Sequence, residues 1–492
     1  MNRFDSVSPL DYRYYGDTPE LFSRLQPYVS AAADIRYLLR IEVALGRMLA
    51  RWGVCSVDVA KQIEAAGDQI VPAEVYEEEQ RVHHNIRALV NCIRRRLKPE
   101  AQPFVHLFAT SADVMDTAAA LRYKELVRDF LLPQLITLEE QLIEMARANA
   151  DQIQIGRTHG QHAVPTTFGY ALALYVSRLG SRIQLIDQTH RNLRGKFSGA
   201  VGAFNSISLL DPTDPVKFEL ELLSELGLKP SETSTSSQVV EPEPITDLLY
   251  AVTSCFSVLA NLADDIRHLI RSEIGELVDT YEDGEVGSST MPHKMNPKNF
   301  ENVKSMWKAF MPRMVTVFMD QISEHQRDLT NSASSRFIPE LFTAFCYAVF
   351  RMKDALNKIQ TNPVQMKKHL DAGKQHCVAE PLYLMLALQG YPDAYDRVMK
   401  LSREARKTGS SLVDEVKKDP RLAEYLTKLP QHHKDILADP ARYIGDAPGR
   451  TIATCDYWEL QSDRIKRMLE ADSTDAQNRW AGGSREIHSG AY

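Results

Sequence analysis

The sequence predicts an all-α protein of three domains built around a central bundle of long helices, and three observations carry that expectation. Apolar residues recur at alternating four- and three-residue steps in four separate segments. One runs Leu131, Leu135, Leu138, Leu142, Met145, and a second Leu172, Val176, Leu179, Ile183, Ile186. A third runs Leu248, Val252, Cys255, Leu259, Leu262, Ile266, Leu269, and a fourth Leu341, Phe345, Ala348, Met352, Ala355, Ile359. Such a heptad seam belongs to near-parallel helices packed at shallow angles. The second observation is that the period-two alternation of a half-buried strand is scarce. The third is that from Thr361 the chain turns to shorter helices broken at Gly390-Tyr391-Pro392, Asp419-Pro420 and Asp439-Pro440. A chain of 492 residues exceeds one ordinary core, and the boundaries fall at 1–112, 113–360 and 361–492.

Taken in order, the first domain reads as short helices. Ala31 to Trp52 carries Ile35, Leu38, Leu39, Ile41, Val43, Leu45 and Leu49 at helical spacing. Ahead of it, Ser8 to Tyr14 reads as a loop, and the polar patch Val82 to Arg87 leads into a helix through Ile93. In the second domain Val303 to Phe318 reads as a further helix, bent at Pro312. The seams must be buried against something, and association of several copies of the chain is a natural way to do it. Beyond Ala471 the chain is polar and aperiodic, and reads as a frayed tail.

Composition narrows the function classes. Hydrophobic content of 44% and charged content of 25% are those of a soluble globular protein. A net charge of −7 leaves no basic footprint for nucleic acid, and the run Arg94 to Lys98 reads as a solvated helix face. Six scattered cysteines without CxxC spacing read as reduced thiols of a cytoplasmic protein. The N-terminus shows no signal-peptide core and no run reaches membrane-spanning length, so no membrane partner is expected. His159 and His162 lack the carboxylates of a metal site, and no GxxxxGK[ST] or GxGxxG motif occurs. No metal and no cofactor is expected.

Polar islands interrupt the seams. The stretch Gly287 to Pro297 crowds Ser288, Ser289, Thr290, His293, Lys294 and Asn296 between glycines and prolines, which deny it regular structure. Ordering so many polar groups is entropically costly, which argues against a plain linker. Thr110 to Thr117 precedes one long helix, where Thr110 or Ser111, taken alone, reads first as a helix cap. Gly156 to His162 precedes the next, with His159 between glycines in a loop, open to titration near neutrality. Ser234 to Gln238 precedes the third, and Gly195 to Asn205 forms a glycine-rich turn. Polar loops at helix ends are where a pocket can be assembled.

These islands, in this chain order, resemble the conserved regions of the fumarase/aspartase superfamily of lyases, over most of residues 8 to 340. The motifs that carry the resemblance are Ser8 to Tyr14, His159 in its Gly-Arg-Thr-His-Gly-Gln context, the 287–297 loop continuing to Asn302, and Gln326 to Ser332 with Arg336. Within the superfamily they are most similar to the adenylosuccinate lyase branch, because two arginines and a serine after the loop suit a nucleotide phosphate. Two positions depart from the pattern. Phe108-Ala109 stands where a glycine often precedes the Thr-Ser pair, and Val239 to Glu243 follows Gln238 where a basic or Asp-containing run is usual.

The resemblance implies a fumarase/aspartase-like fold whose bundles assemble into a tetrameric helical core, with each active site shared between subunits. It implies a small-molecule nucleotide substrate and β-elimination of fumarate, from adenylosuccinate to give AMP and from the succinylated aminoimidazole carboxamide ribotide to give AICAR. By the same resemblance Ser288 is the general base, and His159 the general acid with Glu301 holding its imidazolium. Thr110, Ser111, Gln238, Lys294 and Asn296 hold the succinyl carboxylates, Lys294 and Asn296 also taking up charge on the carbanion. Arg13, Tyr14, Arg327, Ser332 and Arg336 are nucleotide-side contacts. His84 matches a second active-site histidine, and reads equally as an ordinary surface histidine beside His83. Two alternatives stand beside this one. The first is a superfamily lyase with another substrate, such as an argininosuccinate lyase, an aspartase or a carboxymuconate cycloisomerase. The second is a non-catalytic helical assembly on the same scaffold.

Overall fold

The computed structural model describes residues 5–281 and 284–486, without the side chains of 375 and 480–486. Five helices open the chain: α1 (Pro19–Val29), α2 (Ala31–Arg51), α3 (Val57–Gln69), α4 (Pro72–Val82) and α5 (Asn85–Arg94). Ser30 caps α2 by accepting the Ala33 N–H at 3.1 Å. Residues 8–14 are not simply a loop, since Leu10–Tyr14 closes one π-helical turn that buries Leu10. No seam marks such a turn in the sequence.

The bundle follows. α6 (Ser111–Leu126) and α7 (Leu132–Ala148) form one rod joined by a π turn over Val127–Leu131. The cause is Pro133, which has no N–H to give and whose ring would strike the carbonyl of Asp129 in a regular helix; the wider turn makes room for it. α8 (Phe168–Arg191), α9 (Val216–Glu225), α10 (Glu243–Ile270), α11 (Lys298–Phe310), α12 (Arg313–Met319) and α13 (Ile338–Asn357) complete this part. The predicted bend at Pro312 is the break between α11 and α12. The predicted seams are buried along α7, α8, α10 and α13. Met145 and Leu269, the last members of the first and third, are only half-buried, and Ile359, the last of the fourth, lies in a strand.

Side-chain pairs fix the directions of these helices. Arg178 donates to Asn261 at 2.7 Å and Arg182 to Ser254 at 3.4 Å, so α10 descends as α8 rises. Lys304 bonds Asp264, Trp307 donates to Ser257 at 2.9 Å, and Thr253 reaches Met314. α11 and α12 therefore run back up against α10. The bundle has two poles as a result. One holds the start of α6, the end of α8, the start of α10 and the end of α12. The other holds the end of α7, the start of α8, the end of α10 and the start of α11.

Two short antiparallel sheets sit at the second pole. β1 (Ile153–Thr158) and β2 (Gln161–Thr167) form a hairpin, and β3 (Leu277–Asp279) pairs with β4 (Ile359–Thr361). The hairpin replaces the loop expected around His159. His159 and Gly160 occupy its two-residue turn at φ +53° and +72°, the left-handed pair that a tight hairpin turn requires.

After β4 come α14 (Pro363–Cys377), α15 (Ala379–Leu388), α16 (Ala394–Thr408), α17 (Leu412–Lys418), α18 (Pro420–Thr427) and α19 (Gln431–Ala438). From α15 to α18 they enclose their own core around Leu382, Leu386, Val398 and Leu412. α20 (Ala447–Glu486) instead returns to the bundle, parallel to α8 and antiparallel to α7. Gln184 meets Gln461 at 3.2 Å, Arg191 pairs with Asp472, and an added Cβ at Gly180 would lie 2.2 Å from the Trp458 ring. The tail past Ala471 is therefore not frayed up to Glu486: Asp472 and Ser473 tie it to Arg191 and Asp129. The buried stripe of α20, Thr451, Cys455, Trp458, Ser462, Ile465 and Leu469, keeps the four- and three-residue step of the other seams, but its polar members hide it from an apolar reading. The expectation that no run reaches membrane-spanning length does not hold for α10, which is long and apolar enough, but 67% of its apolar window is buried, as in a core helix.

Candidate active site

The candidate residues fall into separate groups within one chain. At the first pole Thr110 precedes α6, and its N–H donates to Asp113 Oδ2 at 2.9 Å. Ser111 is the first helical residue. The N–H of Gln238 donates to the Gln326 carbonyl at 3.4 Å, and that of Val240 to Asp116 at 2.9 Å. Burial pushes the Asp116 carboxyl up to about 6, opposed by the Val240 N–H and by the charges of Arg327 and Lys196. Thr110, Ser111, Gln238 and Arg327 thus gather here. His84 belongs with them: it begins α5, its Nδ1 accepts the Arg87 N–H at 3.2 Å, and neighbouring Asn85 reaches Met115 of α6. The capping role is satisfied by Nδ1 alone, which leaves Nε2 at the surface.

At the second pole stand two further groups. His159 is exposed at the tip of the β1–β2 hairpin. Arg157 anchors that hairpin through a two-pronged ion pair with the fully buried Glu276, which also bonds His369 of α14. Ser288 lies in the loop between β3 and α11, whose residues 282 and 283 fall outside the described chain. Its Oγ accepts the N–H of Met291 at 3.1 Å and of Thr290 at 3.4 Å. Asn296 Nδ2 donates to the Gly287 carbonyl at 2.9 Å, and the Tyr281 hydroxyl donates to the Asn296 carbonyl. A Cβ at Gly287 would stand 2.5 Å from the Lys294 carbonyl, so glycine is what lets the loop close on itself there. Lys294 points to solvent, and Glu301 is exposed in the first turn of α11. No hydrogen bond or ion pair joins His159 to Glu301 or Ser288 among the described residues.

The remaining candidates lie elsewhere. Tyr14 packs on Tyr347 of α13 with ring centroids 5.0 Å apart, and Arg13 is exposed beside it. Ser332 is half-buried in the loop before α13, its N–H bonded to the Leu329 carbonyl at 3.1 Å. Arg336 is exposed and lies near Tyr76 of α4. One chain therefore brings together five of the candidates at the first pole and three in the loop with Glu301 in the helical turn that follows, and leaves His159, the Arg13–Tyr14 pair, Ser332 and Arg336 apart.

Comparison with known proteins decides which family this arrangement belongs to. Residues 13–310 match the family model described as lyase, and residues 323–439 the one described as adenylosuccinate lyase C-terminal. Curated adenylosuccinate lyases are similar along nearly their whole length. That of Pyrococcus abyssi is 34% identical, with 90% of this chain and 96% of that protein aligned. For Pyrococcus horikoshii the identity is 33%, over 93% and 99%. The chain belongs to the adenylosuccinate lyase family. Solved structures agree on the superfamily fold. A fumarate lyase from Mesorhizobium sp. BNC1 superposes with a TM-score of 0.77 at 24% identity, covering 88% of this chain and 97% of that one. A 3-carboxy-cis,cis-muconate lactonizing enzyme from Pseudomonas putida gives 0.76 at 23%, covering 94% and 100%.

Membership in the adenylosuccinate lyase family gives meaning to the departure at Phe108. This residue has φ +66°, the left-handed conformation that glycine adopts without cost. His83, His106, Phe204, Ser234 and His325 are also left-handed, and all lie on or beside the first-pole segments. Strain of this kind persists where surrounding contacts over-determine the backbone, as at sites that position ligands. Sequence reading missed two elements of this pole, Lys196 and Asp113. They form a buried ion pair across the site, and their partnership spans too much sequence for any local pattern to reveal it.

Proposed function

We propose that the protein is a carbon–nitrogen lyase that eliminates fumarate from adenylosuccinate, giving AMP, and from the succinylated aminoimidazole carboxamide ribotide, giving AICAR. The observation that carries the mechanism is Ser288, whose oxygen receives two backbone N–H groups within a loop stapled shut at its base. Serine is a weak base in water. Two N–H dipoles aimed at its oxygen favour the alkoxide form, and a loop that excludes solvent strengthens them.

Elimination then proceeds in two steps. Ser288 removes the proton from the carbon next to one succinyl carboxylate, and the electron pair moves into that carboxylate as an aci-form. Lys294 and Asn296 supply the positive charge and amide donors that stabilise it. Asn296 now donates to Gly287, so the loop must exchange that bond when substrate arrives. The carbon–nitrogen bond breaks next, and His159 gives its proton to the departing nitrogen while Glu301 steadies the imidazolium. Thr110, Ser111 and Gln238 hold the carboxylates. Arg13, Tyr14, His84, Arg327, Ser332 and Arg336 hold the nucleotide and its phosphate.

These groups meet only if subunits share sites. Thr110 and Gln238 lie at the pole opposite to His159 and Ser288, which supports a homotetramer in which antiparallel neighbours set one chain's first pole beside another's second. Tyr170, Leu174 and Tyr250 are exposed on the bundle helices, apolar surface suited to such contacts. The reading is tested by adding purified protein to adenylosuccinate and following the ultraviolet spectrum. A conversion to AMP with stoichiometric fumarate is expected. Turnover of argininosuccinate or aspartate, with none of adenylosuccinate, would replace it.

A further inference from the structure

Behind the first pole lies a group of buried ionisable side chains that the proposed mechanism leaves unused. Lys196, 1% exposed, sits in the glycine-rich turn after α8 and pairs with Asp113, 0% exposed, in the first turn of α6. The ammonium also donates to the Gly199 carbonyl at 3.1 Å. Asp113 in turn accepts the N–H of Gly199 at 3.4 Å and, through its other oxygen, that of Thr110 at 2.9 Å. One ion pair therefore sets the start of α6 against the turn at 195–205. The backbone of Lys196 is held as well, by exchanging hydrogen bonds with the Thr117 hydroxyl at 3.0 and 3.1 Å.

The contacts spread from this pair to the other segments of the pole. The Phe197 N–H donates to the buried Glu219 of α9 at 2.7 Å. Ser198 and Ser236 share a hydroxyl hydrogen bond at 2.7 Å, and Ser206 donates to the Phe108 carbonyl at 2.9 Å. Gly202, at φ +74°, brings the turn so close that a Cβ would stand 2.1 Å from the Ser236 carbonyl. Hence the turn carrying Lys196 touches the segment leading to Thr110 and the segment leading to Gln238. A buried pair of charges is costly to desolvate and weak evidence for stability, and its best-attested use is to specify one arrangement over others.

We infer that Lys196 is a positioning residue for substrate binding, its ammonium acting through Asp113 and the 195–205 turn to hold Thr110, Ser111 and Gln238 in register. This rests on the reading above that those three residues grip the succinyl carboxylates. The ion pair itself touches no substrate, so its loss acts on binding more than on the chemical step.

The test uses the full chain with Lys196→Met, and with Lys196→Met combined with Asp113→Asn. The double variant removes both charges of the pair together, so it carries the test if the single variant does not fold. Two readouts are taken. In steady-state assays with adenylosuccinate, the double variant should raise KM about tenfold with kcat changed less than threefold. In amide hydrogen exchange, which needs no substrate, segments 108–113, 196–200 and 234–240 should exchange faster together while the hairpin 153–167 stays unchanged. A KM within twofold of the unmodified protein, or faster exchange confined to 196–200, overturns the inference. Should the unmodified protein fail to cleave adenylosuccinate, the functional reading falls, and the exchange pattern alone decides the role of Lys196.

Discussion

Single side chains decide the chemistry, and Ser288 is the one with the most specific surroundings. Its oxygen has two backbone donors, which favour the alkoxide that the proposed role as base requires. Ser288→Ala should leave substrate binding nearly intact and lower kcat by several orders of magnitude, as loss of a general base does. A variant keeping more than a tenth of the turnover would assign the base elsewhere. His159 gives the complementary prediction. If it carries a proton when the nitrogen leaves, turnover falls on the alkaline side, and His159→Asn removes that limb together with most of the activity. An unchanged alkaline limb in the residual activity would reassign the acid. Both residues were candidates from the sequence because they stand in short motifs. Lys196 and Asp113 were not, because the informative fact is their pairing across the fold.

At the scale of elements, the helices were legible where the repeating stripe is apolar and illegible where polar residues share it. The seam of α10 is readable residue by residue, whereas the buried stripe of α20, Thr451, Cys455, Trp458, Ser462, Ile465 and Leu469, has the same step but includes a threonine and a serine. The β1–β2 hairpin was hidden because its turn pair, His159-Gly160, is not one of the usual Asn-Gly or Asp-Gly signals, and Gly156 and Pro165 interrupt the strand pattern on either side. α7 carries an oddity no pattern announces. Glu139 is 0% exposed with neither carboxylate oxygen hydrogen-bonded, and burial raises its pKa well above the ordinary value. The sign follows from linkage. Below the unfolded pKa both states hold the proton; above it the unfolded chain releases it first, so stability falls as pH rises toward the folded value. Glu139→Gln removes that loss. Its thermal midpoint should equal that of the unmodified protein near pH 4 and exceed it increasingly as the pH rises above that. The gain is about 1.4 kcal/mol for each pH unit spent between the two pKa values. A difference that stays constant across this range would mean that Glu139 is not neutral in the folded state. The 281–296 loop makes the other prediction at this scale. Gly287→Ala forces a Cβ against the Lys294 carbonyl, so kcat should fall at least tenfold while the thermal midpoint of the bundle stays put. Unchanged turnover would show that this loop geometry is not the one used.

For the whole molecule, the decisive quantity is the length of the bundle. α8 has 24 residues and α10 has 28, so the poles lie about 36 to 42 Å apart at 1.5 Å per residue. A succinyl nucleotide cannot span that distance, yet the residues proposed to hold its carboxylates and the residues proposed to act on it sit at opposite ends of one chain. A single subunit should thus be inactive, and a site must draw on at least two. Mixing tests this directly. Gln238→Met disables the first pole and His159→Asn the second, and each protein alone should be nearly inactive. After subunit exchange at equal concentrations, a site taking Gln238 from one chain and His159 from another finds both intact about one time in four. Roughly a quarter of the unmodified activity should therefore return. Ser288→Ala mixed with Gln238→Met should behave the same way, since the 287–297 loop shares the pole of His159. Hybrids whose formation is verified by mass, and which regain no activity in either mixture, would place the three residues on one chain.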